Sequence, residues 1–129
     1  MISFEAFRQT DGTPIYLQII RYIQQGLAAG TIRDGDELPS RRVVSALLAV
    51  NPNTVQKAFR LLEDEGLAVS RAGAKSYVQA SPQQIAALRR VLLETEMQAM
   101  VDAAKRIGLT REEAHRLLDT LYDKEGTDV

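Results

Sequence analysis

The chain has 129 residues, 45% hydrophobic and 26% charged, with a net charge of −1. That is room for one ordinary globular domain, or a small domain with an appendage. It holds no cysteine, which excludes disulfides and thiolate metal sites. It also has no apolar run near the roughly 18 residues of a membrane span and no signal-peptide pattern at Met1-Ile2-Ser3-Phe4-Glu5, so a cytoplasmic protein is expected.

Residues 1–12 read as a loose N-terminal arm that ends in the turn signal Asp11-Gly12. Thr13 and Pro14 read as the N-cap and first-turn proline of a helix. Its apolar stripe is Ile15, Ile19, Tyr22, Ile23 and Leu27, and it runs up to Gly30. A turn-rich connector follows, with a short strand expected at Glu37-Leu38. Ser40 caps a second helix, Arg41 to Leu48, with Val44, Leu47 and Leu48 facing inward.

Only Ala49 to Asn51 separate this helix from a third. Asn51 caps that helix, and Pro52 fits its first turn, where a missing N–H costs nothing. Val55, Ala58, Phe59 and Leu62 recur at helical spacing and define a buried face. Asn53, Thr54, Gln56, Lys57 and Arg60 are left outside. Short amides, hydroxyls and cations are the groups that hydrogen-bond base edges and phosphates in a major groove, although a solvated helix face has similar chemistry. Gly66 is placed as a left-handed C-cap. Two short helices joined so tightly describe a helix-turn-helix.

Leu67 to Arg71 and Lys75 to Gln79 read as two strands around Ala72-Gly73-Ala74. A hairpin directly after a helix-turn-helix outlines a winged helix, with Arg71 and Lys75 near its tip, in reach of phosphate or a minor groove. Residues 38–80 carry six basic against three acidic side chains, whereas residues 81–129 carry seven against nine. A mildly basic patch on a near-neutral chain suits a dimer that doubles it.

Ser81 and Pro82 open a long helix, about 82 to 107, closed by Gly108. Its apolar positions include Ile85, Leu88, Leu92, Leu93, Met97, Met100, Ala104 and Ile107. Thr110-Arg111-Glu112-Glu113 is a capping box for a last helix carrying Ala114, Leu117, Leu118, Leu121 and Tyr122, with a frayed tail from Glu125. Two helices of this size do not close a core of their own. Either they pair with a second chain, which is the favoured reading, or they pack back on the N-terminal domain. The fold class is therefore mainly α with a small β-hairpin wing: an arm at 1–12, a winged helix-turn-helix at 13–80, and a two-helix dimerisation region at 81–129. The dimer contacts expected are Leu88, Leu92, Leu93, Met97, Met100, Ala104, Leu117, Leu118 and Leu121.

An ordered set of motifs carries a resemblance. Pro14-Ile15-Tyr16-Leu17-Gln18-Ile19, Gly30-Thr31-Ile32, Gly35-Asp36-Glu37-Leu38-Pro39-Ser40-Arg41-Arg42, Asn51-Pro52-Asn53-Thr54-Val55 and Glu63-Asp64-Glu65-Gly66-Leu67 resemble the N-terminal domain of GntR-family transcription regulators. The match spans roughly residues 13–79, and the short helical tail resembles the YtrA-type subfamily. The resemblance implies a C-terminal part that homodimerises and is too small for the effector pocket of larger members. It also implies a repressor, often of its own operon and of adjacent transporter genes.

By position, Arg42 falls on the arginine that contacts DNA in relatives, Asn53, Thr54 and Gln56 on recognition-helix contact positions, and Gly73 on the wing-tip glycine. Three departures stand out. The usual turn glycine is Ala49, so either Ala49 is held left-handed at about 1 kcal/mol or more, or the turn differs locally. Pro52 stands where some members have an arginine, which leaves base readout to neutral side chains. Lys75 replaces a second wing glycine and adds charge.

The expected function is that of a homodimeric, sequence-specific DNA-binding repressor on a near-palindromic operator, with half-sites about one helical turn apart. Ser40, Arg41, Arg42, Asn51, Asn53, Thr54, Gln56, Lys57, Arg60, Arg71, Gly73 and Lys75 are the expected DNA-binding set. Arg41, Arg42, Arg71 and Lys75 anchor phosphate or the minor groove, and Asn53, Thr54, Gln56 and Lys57 approach base edges. The competing reading is a winged helix that serves only as a protein-interaction module. An enzyme is not expected. The one histidine, His115, has no metal-ligand spacing with Glu112, Glu113 or Asp119, and no nucleophile or phosphate-loop motif occurs. No cofactor or metal is expected. A small-molecule effector between the long helix and the winged helix, lined by Met97 and Met100, is a further candidate, although methionines at this spacing are more often core.

Overall fold

The structure is a computed structural model that describes residues 1–71, 73 and 75–127. Ala72, Ala74 and residues 128–129 lie outside the described residues, so the wing tip is described only at Gly73. Five helices and three strands follow in the order α1 (Ile15–Ala29), β1 (Glu37–Leu38), α2 (Arg41–Leu48), α3 (Pro52–Asp64), β2 (Ala68–Arg71), β3 (Lys75–Val78), α4 (Pro82–Ile107) and α5 (Arg111–Thr127). The sheet order is β1-β3-β2, all antiparallel, with Val69 opposite Tyr77 and Glu37 opposite Tyr77 on the other side. This is a winged helix with C-terminal helices, as the motif order implied.

The chain divides into two units, Met1–Arg90 and Val91–Val129, and the division falls within α4. In the first unit, Ile19, Ile23 and Leu27 of α1 pack with Val44 of α2, Val55, Ala58, Phe59 and Leu62 of α3, and Leu67, Ala68 and Val78 of the wing. Burying each large apolar side chain is worth roughly 1.5–3 kcal/mol before entropy is counted. Ile85 and Leu88, in the first turns of α4, pack against the same core. Leu88, expected at a dimer contact, thus already has apolar partners within the winged-helix unit.

The N-terminal segment is not a loose arm. Ile2, Phe4 and Phe7 are buried in the core, and Phe4 stacks on Tyr22 at 5.0 Å between centroids. The Ile2 N–H donates to the Glu37 carbonyl at 2.9 Å, and Tyr22 Oη donates to the Ser3 carbonyl at 2.6 Å. Gln18, a polar residue within the α1 stripe, is buried and joins the segment to α1. Its amide donates to the Thr10 and Thr13 carbonyls, and its oxygen accepts from the Thr10 N–H.

Local chemistry sets the helix limits. Pro14, not Thr13, is the N-cap of α1; no side chain caps it, and the Pro14 carbonyl accepts from Leu17 and Gln18. Gly26 lies where α1 meets Ile32, and a Cβ there would overlap the Ile32 side chain. Gly66, at φ 76°, ends α3: its N–H reaches the Glu63 carbonyl and the Leu67 N–H reaches Leu62, satisfying carbonyls that the helix leaves open. Ser81 and Gln84 form a reciprocal cap at the start of α4.

The second unit comprises the rest of α4, the Gly108-Leu109-Thr110 turn and α5. Thr110 and Glu113 cap each other as expected, with Thr110 N–H donating to Glu113 Oε1 at 2.9 Å and Glu113 N–H to Thr110 Oγ at 3.1 Å. The tail expected to fray from Glu125 remains helical to Thr127.

Candidate nucleic-acid interface

The candidate interface is built on two helix starts and a turn. Ser40 Oγ accepts from the Val43 N–H at 3.1 Å, which starts α2 and leaves Arg41 and Arg42 exposed in its first turn. A hydroxyl that accepts in this way still has a proton to donate. Asn51 Oδ1 accepts from the Asn53 N–H at 2.8 Å and starts α3, with Pro52 in the first turn. Between the helices Ala49 adopts φ 55°, ψ 47°, so the turn keeps its left-handed residue despite the missing glycine. Four hydrogen bonds hold it. The Ala49 and Val50 N–H groups donate to the Ser45 carbonyl, Ser45 Oγ donates to the Val50 carbonyl at 2.6 Å, and Gln9 Nε2 donates to the Leu48 carbonyl at 2.9 Å.

With Val55, Ala58, Phe59 and Leu62 buried, the opposite face of α3 presents Asn53, Gln56, Lys57 and Arg60 exposed and Thr54 partly so. At 3.6 residues per turn, Gln56 and Arg60 flank Asn53 on the Phe59 side, and Thr54 and Lys57 flank it on the other. The Phe59 side opens into a groove of about 590 Å³ lined by Ser40, Arg41, Arg42, Gly73 and Lys75, together with Glu37. The fold thus brings together cations that lie more than thirty positions apart in the chain.

The wing adds a second signal. Arg71 and Lys75 are cross-strand partners at the end of the hairpin, and like charges directly opposite each other destabilise a sheet in the absence of an anion. The Arg71 guanidinium lies over the Tyr77 ring at 5.3 Å. Two carboxylates of the acidic run beside the candidate site are otherwise engaged: Glu63 accepts from Ser70 Oγ, and Glu65 accepts from Gln24 Nε2.

Two residues outside the expected set shape this surface. Gln9 supports the turn, and Tyr16 of α1 lies beneath Lys57, whose Nζ is 4.0 Å from the ring centroid. Tyr16 belongs to the Pro14-Ile15-Tyr16 motif, but its contact with α3 depends on tertiary packing that no local pattern reports. Leu47, expected to face inward, is 65% exposed, and so is much of Val43. A helix as short as α2 meets α3 along one narrow line, which Val44 and Leu48 occupy. Met97 and Met100 line a groove of about 410 Å³ with Ala114 and Leu118 of α5, inside the second unit, rather than the cavity against the winged helix expected for an effector. No helix among the described residues is long and apolar enough to cross a membrane.

Residues 15–78 match the model of a family described as bacterial regulatory proteins, gntR family. The HTH-type transcriptional repressor YtrA of Bacillus subtilis (strain 168) is 30% identical over 104 residues, which cover 80% of each chain. The uncharacterized HTH-type transcriptional regulator YhcF of the same strain is 33% identical over 100 residues, 78% of this chain and 83% of that one. Among solved structures, a GntR family transcriptional regulator from Listeria monocytogenes aligns with a TM-score of 0.77 at 27% identity, over 87% of this chain and 98% of that one.

Proposed function

The chain belongs to the GntR family of bacterial regulatory proteins, as a DNA-binding transcription regulator and not an enzyme, and from that membership we propose a homodimeric repressor that reads a near-palindromic operator in the cytoplasm. Arg41, Arg42, Arg71 and Lys75 hold phosphates, helped by Ser40, Asn51, Arg60 and the Gly73 wing tip. Asn53, Thr54 and Gln56 meet base edges, Asn and Gln pairing best with adenine.

The observation that carries this reading is the groove that joins the first turn of α2 to the wing beside the polar face of α3. A winged helix used only to bind protein does not require cations on both elements. Repression is supported by the similarity to YtrA of Bacillus subtilis, a transcriptional repressor by name. Dimerisation is supported by the second unit taken alone: no side chain from Val91 to Lys124 is fully buried, and Leu93, Met97, Leu117 and Leu121 are each about half exposed. Leu92, Ala104 and Leu118 are partly covered. Apolar surface on both members of a helix pair is what a twofold partner would cover.

The test is selection of bound duplexes from a random pool. One recovered motif with two inverted half-sites about a helical turn apart, bound with a steep salt dependence, is the expected result. Recovery of no motif, with salt-insensitive binding, would favour the protein-interaction module instead. A search upstream of the chain's own gene for the recovered motif then tests repression.

A further inference from the structure

The sequence alone groups Lys57 with the residues that approach base edges. The fold gives it a different setting. Its Nζ rests 4.0 Å from the centroid of the Tyr16 ring, on the α1 side of α3. A cation at that distance from an aromatic face is attracted by the ring quadrupole. The residues three and four positions away on its own helix are Asn53, Thr54, Arg60 and Leu61, so no carboxylate within the helix competes for the ammonium. Tyr16 is half-buried and packs against the hydrophobic core, which backs the ring that the ammonium rests on.

We propose that Tyr16 is a positioning residue of the DNA-binding surface: its ring holds the Lys57 ammonium at the α1 flank of α3, where it meets a backbone phosphate and not a base edge. The proposal rests on α3 being the recognition helix. Lysine is a flexible stem with a point charge, well suited to phosphate and poorly suited to planar base recognition, and a ring that draws it sideways strengthens that bias. Lys57 then balances the wing-side cations. Arg41, Arg42 and Lys75 border one edge of α3, the Lys57 ammonium is drawn toward the other, and the neutral side chains of Asn53 and Gln56 between them face the bases.

The experiment uses the full chain and the duplex that the wild-type protein recovers from a random pool. Affinity and salt dependence are measured for wild type, Lys57→Met, Tyr16→Leu, Tyr16→Phe and the Tyr16→Leu/Lys57→Met pair. Lys57→Met should flatten the log–log salt slope by about 0.9 for each winged helix engaged and recover the same base motif in a fresh selection. Tyr16→Leu should weaken binding about two- to fivefold for each winged helix engaged, and Tyr16→Phe, which keeps the ring face, should restore it. The double variant should bind no worse than Lys57→Met alone, because the ring acts only through the lysine. Losses that multiply in the double variant, or a changed base motif for Lys57→Met, would overturn the proposal. Lys57 is exposed, so the motif comparison stands even if Tyr16→Leu destabilises the fold. A wild-type protein that recovers no motif at all would instead fail the recognition-helix reading.

Discussion

Ala49 shows how one strained residue is maintained. Its left-handed backbone costs an L-residue about 1–2 kcal/mol, and the surrounding hydrogen bonds from Gln9, Ser45 and Val50 hold it there. Glycine would remove the strain but adds about 0.4–1 kcal/mol of unfolded-state entropy. Ala49→Gly should therefore stabilise the winged helix by roughly 0.5–1 kcal/mol in urea denaturation; a lower midpoint would show that the Cβ makes a contact worth more than the strain. Arg42 is a different case, because its side chain is exposed and its proposed contribution is to binding rather than to the core. A charge-assisted hydrogen bond is worth about 1.5–3 kcal/mol, so Arg42→Ala should weaken operator binding more than tenfold at fixed salt with an unchanged melting temperature. Unchanged affinity would remove Arg42 from the interface.

At the scale of elements, the caps do most of the local specification. Ser40, Asn51, Ser81 and Thr110 each accept a backbone N–H at the helix start that their position in the sequence implied, and Gly66 stops α3. These were legible because capping involves residues two or three apart, and the polar face of α3 was legible because the apolar period defines its complement. The N-terminal segment was not legible. Ile2, Phe4 and Phe7 follow no helical or strand period, and they are buried only because Tyr22 and Ile32, distant in sequence, leave room for them. The Tyr16–Lys57 contact and the Gln9 bond to the turn were hidden for the same reason.

The cap of α5 carries a pH prediction. Glu113 accepts the Thr110 backbone N–H and lies beside the Thr110 hydroxyl, which holds its carboxyl below the ordinary value. A carboxylate whose folded pKa is depressed contributes stability above its unfolded pKa and loses it as pH falls through the folded value. The helicity of the wild-type chain should therefore decline more on acidification through and below the carboxylate range than that of Glu113→Gln, followed by circular dichroism. Parallel acid titrations would assign the cap no ionic component.

For the whole molecule, charge and exposed apolar area point to the same arrangement. The basic excess of one winged helix is mild: residues 38–80 hold six basic side chains against three acidic. Two copies on one duplex double the phosphate contacts, and their linkage makes the second engagement intramolecular, which raises apparent affinity by about 10²–10⁴. In the proposed dimer, the exposed leucines of the second unit are the surface that a partner would cover. Leu117→Glu with Leu121→Glu places two charges on that face without touching the winged-helix core, since both side chains are about half exposed within the chain. In sedimentation the wild-type protein should run at twice its 14.3 kDa chain mass and the variant at the chain mass. The variant should also bind the two-half-site duplex at least about a hundredfold more weakly, with a log–log salt slope roughly half as steep, because each molecule then releases counterions from one half-site only. A variant that stays at twice the chain mass would place the interface elsewhere. One that becomes a monomer yet binds with wild-type affinity and slope would mean that a single winged helix suffices, and the operator would then need no inverted repeat.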